Sequence, residues 1–353
     1  TGNRGGLSTF LGRPVAFFNP DAQSQYSGRW QFSIQRELSS NAMIEIGYMG
    51  NKAIRLPVDY AANGVPIQYL STTGSRDQTV INQLTGNVAN PMAGLIPGTG
   101  LNGSLVARQQ LLRAFPQFTN VTAQRLNDGA SHYHAMQVRL ERRFSSGLQL
   151  MGNYQWGKLL ERRSRLNDLD PFLEQRVAAE DRTHRLVTSG TYDLPFGKGR
   201  KFGGDARGVV NQIIGGWNIN GILTLQPGGP LNWGNVIYLG GELNVDGHNP
   251  DRTFDTTRFN RVPAQQLDWN RRTFSSRFND ARADGVNQID FSIIKAFPIR
   301  ESLNLTYRCE FFNLTNTPIF SGPNLAPTNS NFGLITNQAN QPRRIQMALR
   351  LVF

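Results

Sequence analysis

The stretch that decides the fold is "YHAMQVRLERRFSSGLQLMGNYQWG", residues 133–157. Successive side chains of an extended strand leave opposite faces, so a strand with one apolar face shows a period of two. Both arms of this stretch have that period, and the small residues "SSG" join them as a hairpin turn. The apolar positions are Met136, Val138, Leu140, Leu148, Leu150, Tyr154 and Trp156. The polar positions between them are Gln137, Arg139, Glu141, Gln149, Asn153 and Gln155.

The same alternation recurs along the whole chain, whereas the 3.6-residue period of an amphipathic helix is hardly visible. It predicts about nine strands of about ten residues, the length that a tilted strand needs to cross a bilayer. The other predicted strands are 29–38, 42–50, 184–194, 213–226, 288–297, 302–312 and 345–353.

The predicted connections differ systematically in length from one end of the strands to the other. At one end they are 39–41, 145–147 and 298–301, with an intermediate segment at 195–212; at the other they are 51–132, 158–183, 227–287 and 314–343. Short periplasmic turns and long extracellular loops are typical of outer-membrane barrels. We therefore predict an all-β fold of antiparallel transmembrane β-barrel strands, about 9–10 in this chain. The barrel region is 29–353, and 1–28 is an extracellular loop or an incomplete strand. A soluble β-sandwich or propeller is the alternative.

Composition excludes several other classes. A mean hydropathy of -0.41 and the absence of a long apolar run argue against membrane-spanning helices. The net charge is +12, but the basic residues are scattered, so no nucleic acid partner is predicted. Cys309 is the only cysteine and falls on an apolar strand face, where it packs as a small hydrophobe. The chain starts at Thr1 without the pattern of a signal peptide.

No catalytic constellation is present, and we predict no enzyme activity, no cofactor and no metal site. His132 and His134 would share a strand face and are candidate metal ligands, but without a third ligand they are read as ordinary strand-end histidines. Carboxylates in "DLDP" (168–171), "NVDGHNPD" (244–251) and "NDARAD" (279–284) lack the spacing of a calcium loop and are read as turn residues.

Polar strand residues are the better functional candidates, because they would line the interior of a barrel. They could contact a plug or a passing solute, or pair with one another and keep the wall hydrated. The predicted lumen-facing residues are Gln35, Glu45, Arg139, Glu141, Gln155, Asn218, Asp290, Arg308, Glu310 and Arg350.

The odd number of predicted strands indicates that the chain is part of a larger barrel. If the last strand ends in the periplasm, the first predicted strand begins outside the cell, whereas bacterial barrels have an even strand number and both ends in the periplasm. Open edges in lipid are prohibitively costly, so the other strands must come from a removed N-terminal part or another chain. An upward strand hidden in 7–18 would instead complete a small ten-stranded barrel.

Residues 259–353 resemble the C-terminal barrel region of TonB-dependent outer-membrane receptors, specifically the Oar-like group abundant in acidobacterial genomes. The resembling pieces are "RFNDARADGVNQIDFSIIKAFPI", "LNLTYRCEFFNLTNTPIFSGPN", "FGLIT" and "PRRIQMALRLVF". Upstream, "YSGRWQFSIQREL", "IEIGYMGNKAIRL", "LERRFSSGLQLMGNYQWGK" and "DRTHRLVTSGTYDLPFGKGRKF" look like preceding strands of the same group.

The resemblance implies a barrel of about twenty-two strands, filled by a plug and energised through TonB. It implies a location in the bacterial outer membrane, in contact with lipid and lipopolysaccharide. The plug or remaining strands would come from the missing N-terminal part or another chain, and TonB would act only through that part. The last strands resemble the signal read by the barrel-assembly machinery, with Tyr307, Phe311, Leu349, Leu351 and Phe353 as its candidates. The expected function is solute uptake or surface organisation. A small closed porin-like barrel, or a structural or adhesive surface protein anchored by its barrel, is the alternative.

Overall fold

The computed structural model describes residues 6, 8–245, 249–300 and 303–353. Fifteen strands and three α-helices are present in that part of the chain. The strands are β1 (Val15–Phe18), β2 (Tyr26–Ser39), β3 (Ala42–Ala61), β4 (Asn87–Ala89), β5 (Leu105–Ala107), β6 (Val121–Ser145), β7 (Leu148–Arg162), β8 (Gln175–Val177), β9 (His184–Asp193), β10 (Trp217–Gln226), β11 (Pro230–Asn232), β12 (Arg277–Arg282), β13 (Val286–Arg300), β14 (Leu303–Phe312) and β15 (Arg344–Val352). The helices are α1 (Gln78–Thr85), α2 (Arg108–Leu111) and α3 (Gly208–Ile214), and short 3-10 turns lie at Ile67–Tyr69, Thr256–Arg258 and Pro263–Gln265.

Nine long strands form one antiparallel wall in the order β15-β14-β13-β10-β9-β7-β6-β3-β2. Each pairs with the next long strand along the chain, as in an up-and-down barrel. The antiparallel all-β prediction is confirmed, and all nine predicted strands are present. Ser302, where one predicted strand begins, lies outside the described residues.

The connections also separate by length. The wall strands are joined at one end by 40–41, 146–147, 194–216 and the short link after Arg300, and at the other end by four long loops. We call these the first (62–120), second (163–183), third (227–285) and fourth (313–343) long loops. No helix in the described ranges is long and apolar enough to span a membrane.

Two strands are much longer than predicted, so the predicted loop 51–132 is wrong at both ends. β3 and β6 remain paired as far as Ala61 and Thr122, and the register shifts three times between Ile54 and Tyr60. Each irregularity moves side chains from one face to the other and hides the period of two. Arg55 and Arg125 have positive φ angles of 57° and 60° in this part of the ladder.

A strand does lie within 7–18, but it does not add to the wall. β1 is only four residues long and pairs in parallel with β6 at Val121–Gln124, beside the long-loop end. The ten-stranded interpretation is therefore wrong. Residues 26–28, which we assigned to the N-terminal segment, belong to β2.

Other local differences concern helices. The predicted strand 213–226 begins only at Trp217, because Ile213 belongs to α3 and Gly216 turns the chain with a φ of 71°. The first long loop contains the single helical turn α2. In α1, which we did not predict, the Asp77 side chain accepts the Val80 N–H, satisfying one free donor of the first turn.

The wall is an open sheet. Across the described ranges β2 and β15 each have one neighbouring strand, and every residue of both strands is exposed. The accessible surface is 21290 Å², against about 14,000 Å² for a compact monomer of this mass. A sheet of this length therefore requires further cover at both edges.

The best-packed apolar cluster lies among the long loops. Trp233 is 1% exposed, its ring stacks on Phe259 with a centroid distance of 4.6 Å, and Phe254 and Phe332 meet it edge-on. Leu231, Val236, Leu243 and Ala281 complete this cluster. It joins the third long loop to the fourth, so these loops are packed structure rather than open coil.

Candidate functional site

The wall has one polar and one apolar face. In antiparallel pairs, directly opposite residues point to the same side. One such row runs from Gln35 to Glu45 to Arg139 to Asn153. Continued through all the pairings, the register brings every residue of the predicted lumen-facing set to this polar face.

The predicted assembly-signal residues lie on the opposite face. Tyr307 is directly opposite Leu349, and Phe311 is opposite Ile345. Leu351 lies two residues beyond Leu349 on the same side, and Phe353 is 94% exposed. Cys309 is buried on this face between its neighbours. Contact with the assembly machinery remains a prediction.

Aromatic side chains form two similar clusters on the apolar face. Tyr48 Oη is 2.6 Å from His134 Nδ1, and Tyr154 Oη is 2.8 Å from His184 Nδ1. Trp156 stacks on His184 with parallel rings, and is 54% exposed. An aromatic belt at the membrane–water boundary has this composition.

His134, one of the two candidate metal ligands, has Tyr48 as its hydrogen-bond partner. Among the described residues, no group of three or more His, Cys, Asp or Glu side chains is arranged to hold a metal ion. Asp170 acts in a turn, because it accepts the Asn167 N–H at 2.9 Å. Asp284 instead joins the third long loop to the fourth, where it accepts the Phe320 N–H at 2.8 Å. Residues 246–248 of the "NVDGHNPD" segment lie outside the described ranges.

The polar face contains a groove of about 290 Å³ over strands β2 to β9. Gly47 forms part of its floor, and its missing side chain leaves room between the flanking rows. The polar lining residues are Gln31, Glu45, Gln137, Arg139, Asn153, Gln155 and Arg185. Arg185 and Gln155 are direct cross-strand neighbours, as are Gln155 and Gln137.

Most of these groove side chains are not engaged by the protein. Within the described part of the chain, Arg185 has no ion-pair or hydrogen-bond partner, and the side chains of Gln137, Asn153 and Gln155 make no hydrogen bond. Arg139 is bound to Glu141 at 2.7 Å, yet its Nε is buried without a partner. Amide and guanidinium groups left free in a groove are available to a ligand or to another part of the protein.

In the remaining half of the polar face, several side chains are paired with one another. Asn218 donates to Asp193 at 2.8 Å, Gln288 donates to Asp290 at 2.9 Å, and Arg308 lies 3.6 Å from Glu310. The sequence identified both halves as polar but did not separate them, because the same alternation of polar side chains occurs in both.

Above the wall, buried charges tie the second long loop to the third. The Glu174 carboxylate accepts the Ser276 N–H at 2.6 Å and the hydroxyls of Ser276 and Ser275 at 2.8 Å each. Burial alone would raise the pKa of Glu174, but these donors, together with Arg176, hold it below its ordinary value.

The network continues to the top of β7. Arg176 Nε lies 3.0 Å from Glu161, and Arg277 Nη1 lies 2.6 Å from the same carboxylate oxygen. Beside it, Asp181 is buried and contacts Arg282 at 2.6 Å. Such pairs hold geometry more than they add net stability, because desolvation offsets much of the Coulomb energy.

The first long loop is joined to the third by backbone contacts. Ser71 donates its N–H to Trp269 O at 2.9 Å, and Arg271 donates to Ser71 O at 2.8 Å. The Asn270 side chain, on a residue that is 6% exposed, donates to Thr73 O at 3.0 Å. The third long loop therefore contacts each of the other three.

This loop layer was not predicted from the sequence, which indicated only that the long connections are extracellular loops. A usable signal was present: aromatic residues are frequent between 227 and 287, and include Trp233, Phe254 and Phe259. Repeated large apolar residues in a connection indicate that it has a core of its own.

Comparison with known proteins gives a family and a set of fold relatives. The model of the family described as "Outer membrane beta barrel domain" matches residues 2–346. No curated protein matches the sequence. Among solved structures, the chain is similar to the outer membrane transporter YddB from Escherichia coli, with 9% identity and a TM-score of 0.45 over 97% of this chain and 34% of that one.

Two further structures are of the same kind. BauA, the ferric preacinetobactin receptor from Acinetobacter baumannii, has 12% identity and a TM-score of 0.43, covering 93% of this chain and 29% of that one. The FrpB iron transporter from Neisseria meningitidis has 8% identity and a TM-score of 0.41, covering 95% and 32%. The chain spans about a third of the length of these proteins.

Proposed function

Because this chain belongs to the outer membrane beta barrel domain family, we propose that it is the C-terminal, loop-bearing part of the barrel of an Oar-like, TonB-dependent receptor. The bacterial outer membrane is its location. The apolar face then contacts lipid, the polar face lines the lumen, and the four long loops lie outside the cell. The whole receptor takes up a polar solute.

The proposal of solute uptake rests on the groove and its free polar side chains. A wall that only needs hydration can pair its polar residues, as Asn218, Gln288 and Arg308 do on β10, β13 and β14. The half from β2 to β9 keeps Arg185, Gln137 and Gln155 free around Gly47. Guanidinium and amide groups with one carboxylate, Glu45, suit a solute rich in hydroxyl or carboxylate groups.

Strand direction supports a larger barrel. In an antiparallel wall of nine strands the first and last run the same way, so β2 and β15 cannot pair with each other as antiparallel neighbours. An odd number of further strands between them restores antiparallel pairing throughout. This disfavours the small closed porin-like barrel. The plug, and TonB acting through it, belong to the remaining part of the receptor.

An adhesive role is the second candidate, and it has its own observation. Large apolar side chains are exposed in three of the long loops, notably Phe172 at 82%, Leu95 at 72% and Leu239 at 63%. Exposed apolar residues at an outer surface are typical of contact sites.

The test compares cells that carry the full-length receptor with a deletion strain, in a defined mixture of sugars, sugar acids and peptides. We expect faster depletion of at least one compound, sensitive to an uncoupler of the proton-motive force. Arg185→Ala should abolish it and Arg308→Ala, which removes an ion-paired arginine of the same face, should not. Uncoupler-insensitive depletion would indicate a porin. Equal depletion by both strains, with altered cell–cell contact, would indicate the adhesive role.

A further inference from the structure

The connection between β9 and β10 is unlike the other short connections of the wall. Residues 194–216, which we call the rim segment, lie at the same end as the two-residue turns 40–41 and 146–147. The Asp193 N–H donates to Gly147 O at 2.8 Å, which places the start of the rim segment beside the second of these turns. Short connections of outer-membrane barrels face the periplasm.

The rim segment exposes large apolar side chains. Its exposed set is Phe196 at 41%, Phe202 at 49%, Val209 at 74%, Val210 at 56% and Ile213 at 63%. The two phenylalanine rings pack on each other with a centroid distance of 5.6 Å. In water these side chains would be an unfavourable surface, since each buried one contributes about 1.5–3 kcal/mol.

Helix α3 has its apolar side outward. Asn211 faces the rest of the rim segment, where its Oδ1 accepts the Lys198 N–H at 2.7 Å. Val209, Val210 and Ile213 lie within about 100° of one another on the other side of the helix. A helix beside water turns its polar side outward, so this arrangement fits an apolar neighbour.

Two side chains of the apolar wall face hold the C-terminal end of this helix. Trp217 Nε1 donates to Ile213 O at 2.8 Å, and Lys295 Nζ donates to Gly215 O. Lys295 is 2% exposed and lies over the rings of Trp217 and Phe297 at 5.1 and 5.0 Å. The helix is therefore fixed at the side of the rim where lipid begins.

The rim segment is also basic. Lys198, Arg200, Lys201 and Arg207 are set against the single carboxylate of Asp205. Lys201 Nζ lies over the Phe202 ring at 5.5 Å, so cationic and aromatic groups share one surface. Aromatic and aliphatic residues beside lysine and arginine are the composition of an element that lies in a membrane interface.

We propose that the rim segment is a membrane-interface anchor that binds anionic phospholipid headgroups of the inner leaflet of the outer membrane. Phe196, Phe202 and the apolar side of α3 insert at the headgroup level, and the basic side chains contact lipid phosphates. The occupant is lipid because the exposed surface continues the lipid-facing wall at Trp217, and its charge complements phosphate. This inference depends on the barrel, and not on solute uptake.

The first experiment measures where Val210 lies. The full-length protein with Val210→Cys, in a Cys309→Ala background, is spin-labelled and placed in bilayers of phosphatidylethanolamine with phosphatidylglycerol. We expect the label to be accessible to oxygen and shielded from a nickel chelate. Ser40→Cys, in a turn at the same end, is the matched control and should be accessible to nickel. Nickel access at both positions would overturn the proposal. Shielding of Val210→Cys from both reagents would also overturn it, because it would indicate a protein cover.

The second experiment tests charge and separates anchoring from folding. Lys198, Arg200, Lys201 and Arg207 are all changed to Gln in one variant, and folding of the barrel is checked by heat-modifiable gel mobility. In the wild type, adding phosphatidylglycerol to phosphatidylethanolamine bilayers should raise the temperature of this mobility change, and salt should reduce the effect. The quadruple variant should fold and lose the dependence on phosphatidylglycerol. A wild type with no such dependence would refute the headgroup assignment.

Discussion

The carboxylate of Glu174 holds Ser276 by both its backbone N–H, at 2.6 Å, and its hydroxyl, at 2.8 Å, although the two residues are 102 positions apart. This contact is the centre of the link between the second and third long loops. It has no sequence signature, because a glutamate in one connection and a serine in another fit any surface loop.

Glu174→Gln should weaken this link by about 1–3 kcal/mol, because the donors of Ser276 and the charge of Arg176 lose a charged acceptor. Hydrogen exchange in the peptide that contains Ser276 should become faster by about tenfold or more. Glu242→Gln is the control, because Glu242 is exposed and lies in the third long loop together with Ser276. This variant should leave the exchange unchanged. Equal exchange in both variants would show that the contact does not hold the loop.

Acid should release the same link. The folded pKa of Glu174 lies below its unfolded value, which is about 4.5. Its contribution is therefore complete above that unfolded value and is lost as the pH falls through the folded pKa. The Ser276 peptide should stay protected from hydrogen exchange near neutral pH and lose protection as the pH falls through the folded pKa, which lies below 4.5. Glu174→Gln should remove this step, and a step of the same size in the variant would assign it to another group.

Trp233→Ala should unfold the loop layer and leave the wall intact. Replacing a large buried side chain costs about 3–5 kcal/mol, and the stacked Phe259 and edge-on Phe254 lose their partner. We expect cleavage of the third long loop by a protease that does not cut the wild type, with unchanged heat-modifiable mobility. Phe172→Ala, at a side chain that is 82% exposed, is the control. Resistance of the Trp233 variant to cleavage would argue against a packed loop core.

The turn between β6 and β7 depends on Gly147, whose φ is 84°. A Cβ built there would lie 2.9 Å from the Asp193 carbonyl oxygen, and the left-handed conformation adds about 1–2 kcal/mol for any other residue. Gly147→Ala should therefore lower the temperature of the heat-modifiable mobility change by several degrees. At Gly74, where a Cβ would meet open space, the same substitution should have no effect. If both variants behave alike, the turn tolerates a side chain.

The nine wall strands were predictable because lipid on one side and polar groups on the other impose a period of two over ten residues. The face of the wall on which each polar candidate lies was predictable from the same period, as the cross-strand row from Gln35 through Glu45 to Arg139 illustrates. Where the ladder is irregular, near Arg55 and Arg125, the period fails and strand ends were misplaced.

Contacts between connections were not predictable in this way. Ser71 and Trp269 are joined by a backbone hydrogen bond, which depends on no side chain identity. By contrast, the pairing of Arg308 with Glu310 was predictable, because the two residues are two positions apart and share one strand face. Helix α3 was not predicted because its apolar residues face outward, so that the sequence "VVNQII" resembles the start of a strand.

The third long loop has contacts to all three of its counterparts, through Ser71, Glu174 and Phe332. Displacing it breaks backbone hydrogen bonds, buried carboxylate contacts and aromatic stacking at once. Separate outward swings of single loops would leave those partners unsatisfied, so the outer cover behaves as one cooperative unit. Opening of this loop layer is then an all-or-none event, whose free energy is set by the sum of the three attachments rather than by the weakest of them.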